Sequence, residues 1–415
     1  MAETLSSIEL FSGAGGLALG LCKAGFKHEL LVERDTDSVD TVKLNSNKAT
    51  AGWNIVESDI RHLEFKDYES TIDLVAGGPP CQPFSLGGKH QAHLDERDMF
   101  PHAARVVAQT KPKAFVFENV KGLLRKSFAT YFEYIILRLT YPELLPRDDE
   151  SWMDHLSALE RIHTKGEYSG LKYNVVFRLL NAADYGVPQI RERVFIVGIR
   201  SDLNLAWSFP EPTHSETELM RSQWLSGQYW KNHGIATPPP LSEFPKDVQS
   251  RARNVSQSYD FLEPKRLPWL TVRDALKGLP DPRDGASNYL NHVFRDGARM
   301  YPGHTGSILD YPSKTLKAGD HGVPGGENMI RFYDNKVRYL TVRESARIQA
   351  FPDDYAFSGS WTESMRQIGN AVPVRLAEVV GSKLTELLST SSKKAVSVKK
   401  PAPLKKPELL LAESA

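Results

Sequence analysis

Residues 7–17 read Ser7-Ile8-Glu9-Leu10-Phe11-Ser12-Gly13-Ala14-Gly15-Gly16-Leu17. A short, mostly apolar run gives way to a glycine-rich turn, and a helical pattern over residues 17–24 follows. Glycines there permit a tight turn and close approach to the backbone, and the N-terminus of the next helix favours a negative ligand group. Working outward, apolar runs at 7–11, 30–33, 54–57, 72–76, 114–118, 174–180 and 194–199 alternate with amphipathic helical patterns at 17–24, 36–45, 99–110 and 128–139. Runs apolar on both faces, alternating with helices, indicate a parallel sheet covered on both sides, an α/β fold. In such sheets ligands sit beyond the carboxyl ends of the strands.

The chain has 415 residues, which suits one large domain plus a smaller one. Hydrophobic residues make up 40% and charged residues 25%, an ordinary globular composition. No apolar run approaches the roughly 20 residues of a membrane span. The start Met1-Ala2-Glu3-Thr4 lacks a basic region followed by an apolar one, so a cytoplasmic protein is expected. The two cysteines, Cys22 and Cys81, cannot build a disulfide framework, and nothing has metal-ligand spacing. With a net charge of +1, any nucleic-acid contact must come from a local patch. Residues 251–299 are such a candidate, carrying Arg251, Arg253, Lys265, Arg266, Arg273, Lys277, Arg283, Arg295 and Arg299.

The texture changes along the chain. Residues 1–205 carry the strand–helix alternation, interrupted at 141–172 by a polar insertion with one short helix near 152–162. Residues 206–330 are rich in proline, glycine and scattered aromatics, with little periodicity, and read as a second, irregular domain. A helix-rich return follows at 331–390, and the Lys/Pro/Ser-rich tail at 391–415 is expected to be a disordered, solubilising segment. No internal repeat is evident.

Several residues carry chemistry. Glu33 ends the second strand twenty residues after Gly13, where an acid can accept hydrogen bonds from ribose hydroxyls. Asp59, after the third strand, can bind the exocyclic amine of an adenine. By itself the glycine turn suits a methyltransferase and a nicotinamide-dependent dehydrogenase equally. The run Gly77-Gly78-Pro79-Pro80-Cys81-Gln82-Pro83-Phe84-Ser85 breaks the tie. Three prolines stiffen the backbone around a single thiol, which hydride transfer does not need. A cytosine methyltransferase does, because carbon-5 of cytosine becomes nucleophilic only when a thiolate has added to carbon-6. Cationic or hydrogen-bonding neighbours must favour that thiolate. Cys22, on the apolar face of the first helix, reads as core.

Glu118 ends an otherwise apolar strand, so burial should raise its pKa and let it hydrogen-bond ring nitrogen-3 and the amine of cytosine. In Gln189-Ile190-Arg191-Glu192-Arg193 alternate side chains share a face, so Gln189, Arg191 and Arg193 project together and two guanidiniums can orient base and phosphate. Thr341 and Glu344 form a capping box for a helix at 342–350. Gln367-Ile368-Gly369-Asn370 stands in a turn before a final helix that Pro373 opens.

In order and content these segments resemble the motif series of the bacterial-type DNA (cytosine-5) methyltransferases of restriction–modification systems. The resemblance covers residues 5–200 and 330–385. It implies a Rossmann-like S-adenosylmethionine-dependent domain with a smaller, irregular target-recognition domain, duplex DNA as substrate, S-adenosylhomocysteine as product and no metal. Cys81 is then the nucleophile and Glu118 the group on the base, supported by Arg191 and Arg193. Phe11, Gly13, Gly15, Gly16, Glu33, Asp59, Ile60, Pro80, Met99 and Asn370 line the cofactor site, Met99 standing where a leucine is usual. Gln82, Ser85, Gln189, Arg273, Thr315 and Leu316 are expected near DNA. A monomer is expected, with a cognate restriction endonuclease as a functional partner only. Two rivals share the scaffold: a transfer-RNA cytosine methyltransferase, whose Cys-Phe-Thr element is missing here, and a silent DNA-binding regulator, against which the intact Cys81, Glu118 and Arg191 argue.

Overall fold

A computed structural model describes residues 4–80, 98–255, 265–285, 288–302, 304–318 and 328–396, with side chains to residue 390. Cys81, Gln82 and Ser85 lie outside the described residues, as does the tail beyond residue 396.

Seven strands form the main sheet: β1 Leu5–Leu10, β2 Phe26–Glu33, β3 Ile55–Glu57, β4 Leu74–Gly77, β5 Ala114–Val120, β6 Tyr173–Asn181 and β7 Glu192–Arg200. Each overlaps an apolar run read from the sequence; the central strands β1, β4, β5 and β7 are buried on both faces and leave that signature most clearly, whereas the edge strands β3 and β6 are partly exposed. Their order is β3-β2-β1-β4-β5-β7-β6. β1 to β5 pair in parallel, while β7 runs antiparallel to both β5 and β6. The sheet is therefore mixed, which corrects the all-parallel expectation. The link from Asn181 to Glu192 is too short for the crossover that a parallel neighbour needs.

Helices cover both faces. α1 Gly16–Lys23 follows β1, α2 Thr36–Leu44 follows β2, and α3 Phe100–Thr110, α4 Ala129–Thr140 and α5 Trp152–Lys165 come between β4 and β6. Alternate residues of β4 go to opposite cores: Val75 packs with α3, α4 and α5, whereas Leu74 and Ala76 pack with α1 and the C-terminal helix. The insertion is more than a polar excursion. α5 is capped by Ser151, ended by left-handed Gly166, and buries Leu156 and Leu159 in the first core.

Among its described residues the irregular region contains four short α-helices, α6 Glu216–Met220, α7 Gln228–Asn232, α8 Lys246–Asn254 and α9 Val272–Leu276. Strands β8 His214–Ser215 and β9 Leu267–Pro268 pair, and β10 Ser307–Ile308, β11 Met329–Arg331 and β12 Val337–Tyr339 form a three-stranded sheet. Its own apolar cluster includes Met220, Tyr229, Trp230, Phe244, Val248 and Trp269.

Three helices follow: α10 Val342–Ile348, α11 Trp361–Asn370 and α12 Val374–Val396. α12 returns to α1 at close range. A Cβ on Gly20 would lie 2.4 Å from the Ala377 Cβ, and one on Gly381 2.8 Å from the Ala24 Cβ, so both glycines are required by the contact. α12 also runs through residues 391–396, into the segment read as disordered. No proline or glycine interrupts residues 391–396.

Candidate active site at the carboxyl ends of β1, β4 and β5

The strand order reverses between β1 and β4, and at such a switch point two loops diverge and open a crevice. The glycine turn leaves the end of β1 and the proline turn leaves the end of β4. Gly77 holds the two together, since a Cβ there would meet the Leu10 carbonyl oxygen at 2.4 Å. Phe11 takes a left-handed φ of 56°, and Gly13 and Gly15 follow at 52° and 80°. For Phe11 this conformation is strained, and strain held at a strand end marks a turn shaped for a ligand.

Glu33 fixes the turn from the neighbouring strand. Its Oε2 accepts from the Gly13 amide at 2.8 Å, and its Oε1 accepts from the Arg34 and Asp35 amides at 2.8 and 2.9 Å. An ionised carboxylate offers about four acceptor positions. One position remains open to a further donor, a requirement that a ribose hydroxyl would meet. Space is open beside Gly13, where an added Cβ would have no neighbour within 4 Å, and the buried Ser12 hydroxyl has no hydrogen-bond partner among the described residues. These features fit a nucleoside cofactor.

Asp59 caps the short turn Ile60–His62. Both of its oxygens are held by Arg61, at 3.0 and 2.8 Å, and this pairing pulls its pKa down to about 2. Ile60 and Met99 are buried. The Met99 amide donates to the Pro80 carbonyl at 3.0 Å, so the chain departs at Pro80 and returns at Met99 from one point. Gly16 faces the protein instead: a Cβ there would meet the Val372 carbonyl oxygen at 2.5 Å. Asn370 is exposed at the end of α11, a helix that the sequence reading took for a turn. Its signal was present in Ser360-Trp361-Thr362-Glu363, where the Ser360 hydroxyl accepts from the Glu363 amide.

Glu118 is buried near the end of β5, beside Gly78. Arg193 on β7 places its Nε 2.7 Å from Glu118 Oε1. Burial pushes the Glu118 pKa up, and the charges of Arg193 and Arg191 oppose that rise. Asn119 donates its side-chain amide to the Pro79 carbonyl at 2.9 Å, tying β5 to the proline turn. The residue after Pro80 is Cys81, so the thiol's loop starts from a support that Glu118 and Asn119 flank.

Arg191 and Gln189, just before β7, bind backbone groups of segments distant in sequence. Arg191 is fully buried and donates to the carbonyls of Leu316 at 3.0 Å, Gly369 at 2.7 Å and Ala371 at 2.9 Å. Gln189 Oε1 accepts from the Leu316 amide at 3.0 Å, and the Thr315 hydroxyl donates to the Ile190 carbonyl at 2.7 Å. The segment 313–316 is thus zipped onto 188–191. Arg273 pairs through two nitrogens with fully buried Asp310, at 2.5 and 2.9 Å.

The sequence profile of the C-5 cytosine-specific DNA methylase family matches residues 5–141 and 153–386. The chain belongs to the C-5 cytosine-specific DNA methylase family. It is an enzyme, a DNA (cytosine-5) methyltransferase. The chain is 30% identical to the Type II methyltransferase M.NgoMIV of Neisseria gonorrhoeae over 92% of its own length and 98% of the relative's. It is 33% identical to the Type II methyltransferase M.Eco47II of Escherichia coli, over 93% and 80%. Two crystal structures share the fold, each with a TM-score of 0.55 over 92% of this chain and 99% of theirs. One is a putative prophage-encoded DNA modification methyltransferase from E. coli, 22% identical, and the other the S. pombe Dnmt2 methyltransferase, 19% identical. No described helix of this methyltransferase is long and apolar enough to cross a membrane.

The reading from sequence placed Cys22 in the core, whereas it is exposed on α1, and it missed two features. Glu9 on β1 is fully buried, and neither carboxylate oxygen has a hydrogen-bond partner among the described residues. Burial holds its pKa well above the ordinary carboxylate value; the Ala18 amide acts against this and the charge of Glu33 adds to it. An acid inside an apolar run was the available signal, the same one that marked Glu118. The Arg191 contacts with Gly369 and Ala371 had no signal, because backbone carbonyls look alike in any sequence.

Proposed function

We propose that the enzyme methylates carbon-5 of a cytosine flipped out of a specific duplex DNA sequence, through a transient bond between Cys81 and carbon-6 of the base. The pairing of buried Glu118 with Arg193, beside the turn that leads directly into Cys81, carries this reading.

The Cys81 thiolate adds to carbon-6, and the electron pair of the carbon-5–carbon-6 double bond shifts into the ring. A carboxyl group made easier to protonate by burial can donate to ring nitrogen-3, so Glu118 stabilises the charge as it develops. Arg193 fixes the orientation of that carboxyl group. Carbon-5 then holds an enamine electron pair. S-adenosylmethionine, when bound, supplies an electrophilic methyl group and is released as S-adenosylhomocysteine. Loss of the carbon-5 proton to a base restores the double bond and expels the thiolate of Cys81, and the proton on ring nitrogen-3 returns to Glu118.

Phe11, Gly13, Gly15, Glu33, Asp59, Ile60, Pro80, Met99 and Asn370 would hold the cofactor, with Gly16 packing the turn from behind. The irregular region 206–330 would read the flanking bases, where a wrong pair typically costs about 1–3 kcal/mol. Such a protein suits the modification half of a restriction–modification system, or a solitary modifying enzyme, in the bacterial cytosol.

The test is a covalent trap. Plasmid DNA made with 5-fluorodeoxycytidine throughout turns every cytosine of its sequence into a trap, because fluorine at carbon-5 blocks the final elimination. With S-adenosylmethionine present, the wild-type protein should become linked to this DNA through Cys81, and Cys81→Ser should not. A wild-type protein that methylates ordinary plasmid DNA yet never links to the fluorinated one would refute the covalent route.

A further inference from the structure

The residues first expected to touch DNA in the irregular region are engaged inside the protein: Arg273 with Asp310, Thr315 with Ile190, and Leu316 at 1% exposure. A different segment is offered to solvent. Fourteen large hydrophobic side chains are exposed among the described residues, and six of them are Tyr289, Leu290, Val293, Phe294, Met300 and Tyr301. Single exposed apolar residues are ordinary, but a cluster of this kind marks an interaction surface. Val293, at 74%, is the most exposed of all.

The ridge is anchored at two residues. Asn291 takes a left-handed φ of 57°, its carbonyl accepts from the Arg343 amide at 3.0 Å, and its side chain bonds both the carbonyl and the amide of Phe357. Buried His292 lies between the Thr341 hydroxyl at 2.8 Å and the Pro280 carbonyl at 2.9 Å. Tyr289, Leu290, Val293 and Phe294 therefore project from a fixed base, and Met300 and Tyr301 continue the same exposed stretch. Two cations accompany them. The Arg295 guanidinium stands over the Trp361 ring at 4.5 Å, and Arg299 is exposed. The acid between them, Asp296, accepts from the Gly297 amide at 2.7 Å.

We propose that this ridge, from Tyr289 to Tyr301, is the surface that the enzyme lays against duplex DNA. Val293 and Phe294 meet sugars and base edges, and Arg299 meets a phosphate. The proposal rests on the enzyme's action on duplex DNA. A chain whose net charge is only +1 must hold a polyanion through local cations, and an apolar ridge flanked by arginines supplies both halves of a groove contact.

The experiment uses the full chain and a duplex plasmid fragment, with binding followed by anisotropy across a salt series. Val293→Ser with Phe294→Ser should weaken DNA binding by about tenfold, the scale set by losing the burial of part of two apolar side chains. Arg299→Ala should reduce the slope of log affinity against log salt by roughly 0.9. Affinity for S-adenosylmethionine and the melting temperature should stay at wild-type values in both variants, since these side chains are exposed. Unchanged DNA affinity in the double variant overturns the proposal. So does a wild-type dimer that the double variant converts to monomer with DNA affinity intact, which would make the ridge a contact between copies. Methyl incorporation by the wild type separates the two readings: its failure removes the enzymatic premise, while the affinity arm still judges the ridge.

Discussion

Glu9 lies near the end of β1 without a hydrogen-bond partner among the described residues, whereas Glu118 lies near the end of β5 against Arg193. Both are buried and both have raised pKa values, but only Glu118 has a cation in contact and a neighbouring crevice. Glu118→Gln keeps the shape and removes the ionisable proton, so methyl incorporation should fall by about 10²–10⁴-fold while DNA affinity changes little. An unchanged rate would take Glu118 out of the mechanism. For Glu9 the readout is stability. A carboxyl group protonated in the folded state but free to ionise when unfolded binds more protons folded, so it subtracts stability as pH rises above the unfolded value of about 4.3, by up to roughly 1.4 kcal/mol per pH unit, until the folded pKa is passed. Glu9→Gln removes that dependence. Relative to wild type, its melting temperature should be higher at pH 8 than at pH 5, and an equal difference at both would refute the buried acid. Glu118 was legible in the sequence because it stands at a strand end, next to the loop that explains it. Glu9 carried the same local signal, but nothing in the sequence told which carboxyl group would meet an arginine.

At the scale of elements, all seven strands of the sheet were legible, because the central ones lie between two apolar layers and their composition records both; the start of β2 at Phe26 was not, since Lys27, His28 and Glu29 break its apolar run. Helix α11 and the reversed direction of β7 were not. One depends on a short Ser-x-x-Glu signal between longer features, the other on the length of a link. The contact between α1 and α12 is a further case: Gly16 lies in a run that reads as a cofactor loop, yet Gly16 and Gly20 also admit the C-terminal segment. Gly20→Ala would set a methyl group 2.4 Å from the Ala377 Cβ and 2.6 Å from the Val374 carbonyl oxygen. Overpacking of this kind costs about 1–3 kcal/mol. The variant should unfold at lower denaturant concentration. Since Gly20 lies one turn beyond the glycine loop, cofactor affinity at low temperature should be retained. A variant as stable as wild type would mean that the helices do not meet this closely.

Across the whole molecule, Arg191 joins three segments distant in sequence: its own strand entry, the irregular region at Leu316 and the C-terminal segment at Gly369 and Ala371. Its partners are carbonyls, so any backbone of the right course can receive it, whatever side chains the irregular region carries. On the proposed reading, in which this region reads the target, such a joint lets side chains there change while the crevice stays fixed. The DNA target is not legible in the sequence, because exposed side chains on irregular loops follow no period and burial does not constrain them. Exchanging residues 210–330 for the equivalent part of a relative should therefore move sequence preference with the fragment, provided that the graft preserves the backbone that meets Gln189 and Arg191. Bisulfite sequencing of DNA from cells expressing each chimera reads the preference directly. Preference that stayed with the catalytic part would place recognition elsewhere. If Arg191→Met is introduced into the same chimera, three carbonyls lose a charged donor, each at a cost of about 1–3 kcal/mol. Methylation should then fail at every site alike, because the loss strikes the joint between the parts and not the reading of bases.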